Sequence, residues 1–141
     1  MGKFSEDLVI KEVGYKQWEV MEEFFYSTDD GYEIVVNKGF RCDLASVARW
    51  FKSVVDTPSY WTQAAVVHDK LYDNNRTVWK SKGWLTRKKA DQILIEAMKT
   101  KEIQYNVPWR IKRKTLVYWA VRLGGMASWK PGFINRNNQE T

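Results

Sequence analysis

The first apolar runs along the chain are short and strand-like. Residues 7–13 (DLVIKEV) and 17–27 (QWEVMEEFFYS) are rich in β-branched and aromatic side chains and read as strands. Asp29-Asp30-Gly31 separates the second run from 32–36 (YEIVV), and Asp-Gly between two such runs predicts a hairpin. Asn37-Lys38-Gly39 reads as another turn before Phe40-Arg41-Cys42-Asp43. Beyond this point the pattern becomes helical. Residues 44–54 (LASVARWFKSV) predict a short helix with Asp43 as N-cap, and Pro58-Ser59 opens a stronger one over 59–74, capped by Ser59. Residues 74–84 are polar and irregular, Thr86 can cap a third helix over 86–101, and Pro108 suits the first turn of a fourth over 108–123, ended by Gly124-Gly125. The expected architecture is α+β: an N-terminal antiparallel sheet followed by about four helices. No repeat, low-complexity stretch or long linker divides residues 1–141, so one domain is expected, with 130–141 as a loose tail.

Two polar side chains break the helical pattern. Helix positions advance about 100° per residue. On the 59–74 helix, Leu71, Ala64, His68, Tyr72 and Ala65 share one arc, with His68 at its middle and Asp69 at its edge, whereas Lys70, Gln63 and Asp73 lie elsewhere. On the 86–101 helix, Ile93, Ala97, Ala90, Leu94, Met98 and Ile95 share an arc, and Asp91 falls inside it between Met98 and Ile95. An inward carboxylate needs a partner, because an unpaired buried charge is costly. If the two helices pack antiparallel, His68 and Asp91 satisfy each other, and a carboxylate on one ring nitrogen leaves the other to act as a base. The same pair also reads as a staple between two helices, and spacing alone does not separate the two.

Composition removes several classes. The chain has 141 residues, one cysteine and one histidine, which exclude an internal disulfide and a two-histidine zinc centre. No apolar run approaches the roughly 20 residues of a membrane-spanning helix. The opening MGKFSEDLVIKEVG lacks the apolar stretch of a signal peptide, so a cytoplasmic location is expected. The net charge of +6 is uneven: residues 1–74 carry 8 Lys/Arg against 13 Asp/Glu, and residues 75–141 carry 15 against 4. Either the halves complement each other, or the basic half meets a phosphate-bearing partner.

Gly39-Phe40-Arg41-Cys42-Asp43-Leu44-Ala45-Ser46-Val47-Ala48-Arg49, then Ala64-Ala65-Val66-Val67-His68-Asp69-Lys70-Leu71-Tyr72, then Arg87-Lys88-Lys89-Ala90-Asp91 with Ala97-Met98, resemble the motif series of a domain-of-unknown-function family, number 1353 of its kind, found in tailed bacteriophages and prophages. The resemblance covers residues 18–125 and implies a phage protein, in the host cytoplasm or the virion. Cys42 stands where that family has threonine and Ala48 where it has proline. His68-Asp69-x-x-Tyr72 on one helix with Asp91 on the next is also similar to the helix pair of phospholipase A2. That similarity implies His68 as general base, Asp91 and Tyr72 as its orienters, and Asp69 as a calcium ligand. A glycine-rich calcium loop before His68 and the flanking cysteines are missing.

Around this constellation the readings stay open. Asp43 and Ser46 either cap the 44–54 helix, an N-cap being worth about 1 kcal/mol, or wall the pocket. In the second case Asp43 joins Asp69 at a hard cation, which asks for about 6–8 oxygens. Ser46 as a nucleophile lacks a Gly-x-Ser-x-Gly elbow. Arg49 either grips a phosphate or carboxylate in the pocket or pairs with the acidic half. Cys42 is either a buried filler or a thiolate activated by Arg41 or His68. Lys112-Arg113-Lys114 is either a solvated helix face or, with the aromatics of 109–122, a surface for lipid headgroups or nucleic acid. Trp18, Trp50, Trp61, Trp109 and Trp119 fall in predicted elements and are expected in the core, whereas Trp79, Trp84 and Trp129 fall in loops and are expected at a partner. Two functions follow. One is a small phage hydrolase in which His68 activates water on an ester, with calcium or helix-terminal amides at the ester oxygen. The other is a non-enzymatic phage protein, a virion component or an inhibitor of a host factor, whose His–Asp pair is structural.

Overall fold

The computed structural model describes residues 2–15, 17–43, 61–73, 77–79, 86–107, 118–119 and 121–123, with 77–79 described in backbone only. Among the described residues six short strands come first, β1 (Lys3–Phe4), β2 (Ile10–Gly14), β3 (Gln17–Val20), β4 (Phe24–Ser27), β5 (Glu33–Val36) and β6 (Arg41–Cys42), and a seventh, β7 (Thr77–Trp79), follows the first helix. The helices are α1 (Thr62–Tyr72) and α2 (Arg87–Gln104), and residues 118–119 and 121–123 are also helical. The architecture is α+β, with two helices, α1 and α2, and helical residues at 118–119 and 121–123 among the described residues, where about four helices are expected from sequence. The expected helix at 44–54 lies outside them.

The strands form two antiparallel sheets, β1-β4-β5-β7 and β2-β3-β6. The expected hairpin is β4–β5, in register Phe24↔Val36 to Ser27↔Glu33. Its loop closes on Thr28, whose hydroxyl accepts from the Tyr32 amide at 2.9 Å, and Gly31 takes the positive φ of 94° that an L side chain resists. The 17–27 run, expected as one strand, is two. At Val20 the chain binds Phe40 and Gly39 across the backbone, and Met21 binds Val9; the exposed Glu22 and Glu23 then carry it into the other sheet. The expected 7–13 strand begins at Ile10 and runs to Gly14. Within the stretch expected to be irregular, 77–79 pairs with β5, so Trp79 lies in a strand rather than a loop.

Alternation on β4 and β5 sends Phe24, Tyr26, Ile34 and Val36 into one core with Leu71, Ile93, Leu94 and Met98. α1 packs against β5, β6 and α2 and is buried on nearly every side, as a helix enclosed on all faces must be. That enclosure buries Lys70 and Gln63, which lie off its apolar arc. Lys70 donates to Asn37 Oδ1 at 2.9 Å and lies 5.0 Å over the Phe40 ring, and Gln63 Nε2 donates to the Glu6 carbonyl at 2.8 Å. α2 starts as expected at Thr86, whose side chain accepts the Lys89 amide at 3.1 Å. It ends with Asn106 at φ 52°, the Val107 amide reaching back to the Glu102 carbonyl at 2.9 Å, a Schellman-type stop.

Trp61 is buried and Trp18 is packed against the core. Trp119, expected in the core, is 59% exposed. Trp50, Trp84, Trp109, Trp129, the Lys112-Arg113-Lys114 run and the 130–141 tail lie outside the described residues. No helix among the described residues is long and apolar enough to cross a membrane.

Candidate functional site

The inward arcs of α1 and α2 meet. His68 and Asp91 are both fully buried, and His68 Nε2 lies 2.8 Å from Asp91 Oδ1. One helical turn further along α1, the Tyr72 hydroxyl donates to the same oxygen at 2.5 Å, and its ring packs against the imidazole with centroids 4.2 Å apart. The other carboxylate oxygen accepts from Arg122 Nη1 at 2.8 Å, with Arg87 Nη1 at 3.7 Å. Arg87 also donates to the carbonyls of Val121 and Arg122, both at 3.1 Å. It thus ties the helical residues 121–123 to the start of α2, and Arg122 reaches back from them to Asp91.

The charge states follow from these contacts. Burial alone would raise the Asp91 pKa, but hydrogen bonds from His68, Tyr72 and Arg122 hold it below the usual carboxylate range. Burial drives the His68 pKa down, and the Arg87 charge acts in the same direction against the pull of Asp91. Burial and the Asp91 carboxylate push the Tyr72 phenol far up, so it remains a donor. The state that satisfies the described contacts of Asp91 is a carboxylate there and a neutral His68 carrying its proton on Nε2, the tautomer in which Nδ1 is the basic ring nitrogen.

His68, Tyr72 and Asp91 are therefore brought together. Asp69, half-buried on α1, and Asp43, exposed after β6, do not contact that cluster in any described bond; their charges fall on Cys42. Burial, then Asp69 and Asp43, raise the Cys42 pKa strongly. Arg41 pairs with Glu19 at 3.0 Å rather than with the thiol. Cys42 is accordingly a protonated core filler, and the thiolate reading is corrected. Ser46, Arg49 and the 44–54 helix that Asp43 would cap lie outside the described residues.

No group of three or more His, Cys, Asp or Glu that could hold a metal occurs among the described residues. Of the described residues, Cys42 lies in the field of both Asp43 and Asp69, and a protonated thiol is not a ligand that a hard cation takes. Arg87 and Arg122 are participants that the apolar arcs do not reveal. Arg87 had one available signal, its position four residues before Asp91 on the same helix. Arg122 had none, because its approach to Asp91 is tertiary.

No curated protein and no solved structure matches the chain. A family model does, over residues 18–121, a span that runs from within β3 past the end of α2 and holds His68, Tyr72, Arg87 and Asp91. By that match the chain belongs to DUF1353, a family described as protein of unknown function.

Proposed function

We propose that this chain is a small hydrolase of bacteriophage origin in which His68 activates water on an ester, in the manner of phospholipase A2. The observation that carries the reading is that one oxygen of Asp91 receives both His68 Nε2 and the Tyr72 hydroxyl. A base built this way has its tautomer and its ring plane set before substrate arrives. His68 Nδ1 takes a proton from water as the water oxygen attacks the ester carbonyl carbon. When the tetrahedral intermediate collapses, the same nitrogen returns the proton to the departing alkoxide, giving an acid and an alcohol. Asp91 offsets the imidazolium charge between the two transfers. The antiparallel setting of α1 and α2 belongs to this reading. It is supported by the order of contacts, since moving forward from His68 to Tyr72 on α1 moves back from Asp91 towards Arg87 on α2. A phospholipid ester suits the excess of basic residues beyond position 74, and the phage motifs at residues 39–49 and 64–72 support the origin.

A second reading has an observation of its own. His68 has no exposed surface, which favours a non-enzymatic phage protein whose buried network holds α1, α2 and residues 121–123 together. Fatty-acid release from phosphatidylglycerol vesicles and from a soluble ester, with and without calcium, separates the two. The hydrolase turns over at least one, and His68→Gln abolishes turnover while keeping the circular dichroism of the folded chain. A wild-type protein inert on both substrates in both conditions leaves the structural reading.

A further inference from the structure

Two arginines at one carboxylate are more than a hydrogen-bonded staple needs. Asp91 carries one negative charge, and Arg122 and Arg87 bring two positive charges to its Oδ2 side at 2.8 Å and 3.7 Å. With His68 neutral, the cluster already holds one surplus positive charge; an imidazolium would make it two. The side chains of Asp91 and His68 are fully buried and Arg87 is only 13% exposed, so little water screens that second charge. Among the described residues, the remaining groups around the ring do not reverse the balance. Tyr72 on α1 stays protonated, Cys42 of β6 stays a thiol, and Asp69 of α1 is half-buried with its field falling on Cys42.

We propose that Arg122, with Arg87 behind it, is a positioning residue for His68. By occupying Oδ2 of Asp91, the guanidinium keeps that carboxylate an acceptor and holds the imidazole neutral, as its Nε2–H tautomer. Arg87 supports the role from two sides. It is the second cation at Oδ2, and its bonds to the Val121 and Arg122 carbonyls fix the backbone from which Arg122 reaches in. A planar guanidinium suits this work because it stays charged when buried and its donors lie in a fixed fork. As a role in catalysis the assignment rests on the hydrolase reading above; as a statement about the state of the ring it is argued from the described contacts of Asp91.

His68 is the chain's only histidine, so its ring signals are assigned without ambiguity. Ring nitrogen-15 spectra of the uniformly labelled chain, recorded against pH for wild type, Arg122→Gln and Arg122→Lys, test the proposal. Wild type is expected to show a neutral Nε2–H ring near neutral pH. Loss of the nearer cation in Arg122→Gln is expected to raise the His68 midpoint by about one pH unit or more, and Arg122→Lys to stay near wild type. In the hydrolysis assay the acid limb of the pH–rate profile moves up with the same midpoint. Equal midpoints in wild type and a folded Arg122→Gln overturn the proposal, as does a wild-type ring that is an imidazolium or an Nδ1–H tautomer near neutral pH. Should Arg122→Gln not fold, wild type and Arg122→Lys decide: a neutral Nε2–H ring in both supports the role, and any other state in either overturns it. Absence of hydrolysis by wild type removes the enzyme reading and leaves the ring spectra as they are. Unchanged spectra remove the arginine's role and leave hydrolysis as it is.

Discussion

Replacing Asp91 by asparagine keeps the shape of the side chain and removes its charge. An asparagine can still accept from His68 and Tyr72 through its carbonyl oxygen, but its amide then points two donors at Arg122. The substitution weakens the hydrogen bonds now made to a carboxylate at 2.8 Å, 2.5 Å and 2.8 Å, each charge-assisted and worth about 1.5–3 kcal/mol when made. It also strands two cations, and breaking a buried pair from one side costs about 3–5 kcal/mol. These terms overlap, and Arg122, 26% exposed, recovers part of its hydration. A net loss of about 4 kcal/mol is expected, a large share of the roughly 5–15 kcal/mol that holds a domain together. Urea unfolding followed by tryptophan fluorescence measures it, with Asp30→Asn as the control. Asp30 pairs with Lys89 at the surface, the two side chains 49% and 28% exposed, where such a pair is worth about 0–1 kcal/mol. If Asp91→Asn costs no more than Asp30→Asn, the charge of Asp91 does not organise the cluster and the reasoning fails.

Tyr72→Phe removes one donor from Asp91 and keeps the ring that packs on His68; it is expected to cost about 2 kcal/mol in the same urea experiment, and a change under about 0.5 kcal/mol would show that the bond to Asp91 contributes little. Stability is expected to fall on acidification in two steps. The folded state resists protonating His68, whose pKa lies below the ordinary 6.5, so below that pH the unfolded chain binds the extra proton and unfolding becomes easier. Asp91 adds a second loss as pH drops below its ordinary 3.8 towards its lower folded value. Urea midpoints measured against pH check the sign: the first step should vanish in His68→Gln, and a wild-type midpoint that rises as pH falls through 6.5 contradicts it.

Legibility in the sequence followed the length over which a pattern could repeat. The burial of Asp91 and His68 was readable because α2 spans 18 residues and α1 spans 11, enough turns for an apolar arc to declare itself and for a charge inside it to stand out. The hairpin was readable from Asp29-Asp30-Gly31. β1 at two residues and β7 at three have no room for alternation, so they carry no signal apart from their partners. The 17–27 run looked continuous because propensity does not register a change of sheet, which Val20 and Met21 make through backbone bonds to distant residues. Lys70 lay off the apolar arc and is nonetheless buried, because Asn37 and the Phe40 ring receive it. Trp119 erred in the other direction, since a large aromatic on a predicted helix is presumed inward until something is shown to pack on it. Arg122 was out of reach for the same reason as Lys70: its role depends on which residue it meets.

The energetics of the cluster bear on the choice between a base and a staple. A staple between two helices needs satisfied polar groups and nothing more. Neutral amides, or apolar side chains of similar volume, do that at least as well, because desolvating an ion pair cancels most of what the pairing returns. The His68–Asp91 cluster instead holds an ionised carboxylate, a neutral imidazole and a surplus of arginine charge. What that arrangement adds over an amide network is control of the imidazole: its proton is fixed on Nε2, its basic nitrogen is Nδ1, and its protonation is opposed but not forbidden. A general base requires those three properties, whereas a staple has no use for them. The burial of the ring decides whether water can reach it, and the charge on Asp91 decides what the ring could do with that water. The first property favours the structural reading and the second favours the hydrolase. The two are separable in one protein, because Arg122→Gln alters the charge balance without touching a side chain that covers His68 in any described contact. If hydrolysis is present and its acid limb moves in that variant, the charge was arranged for chemistry. If the ring titrates differently but no ester is turned over by either protein, the same charge was arranged only for the fold.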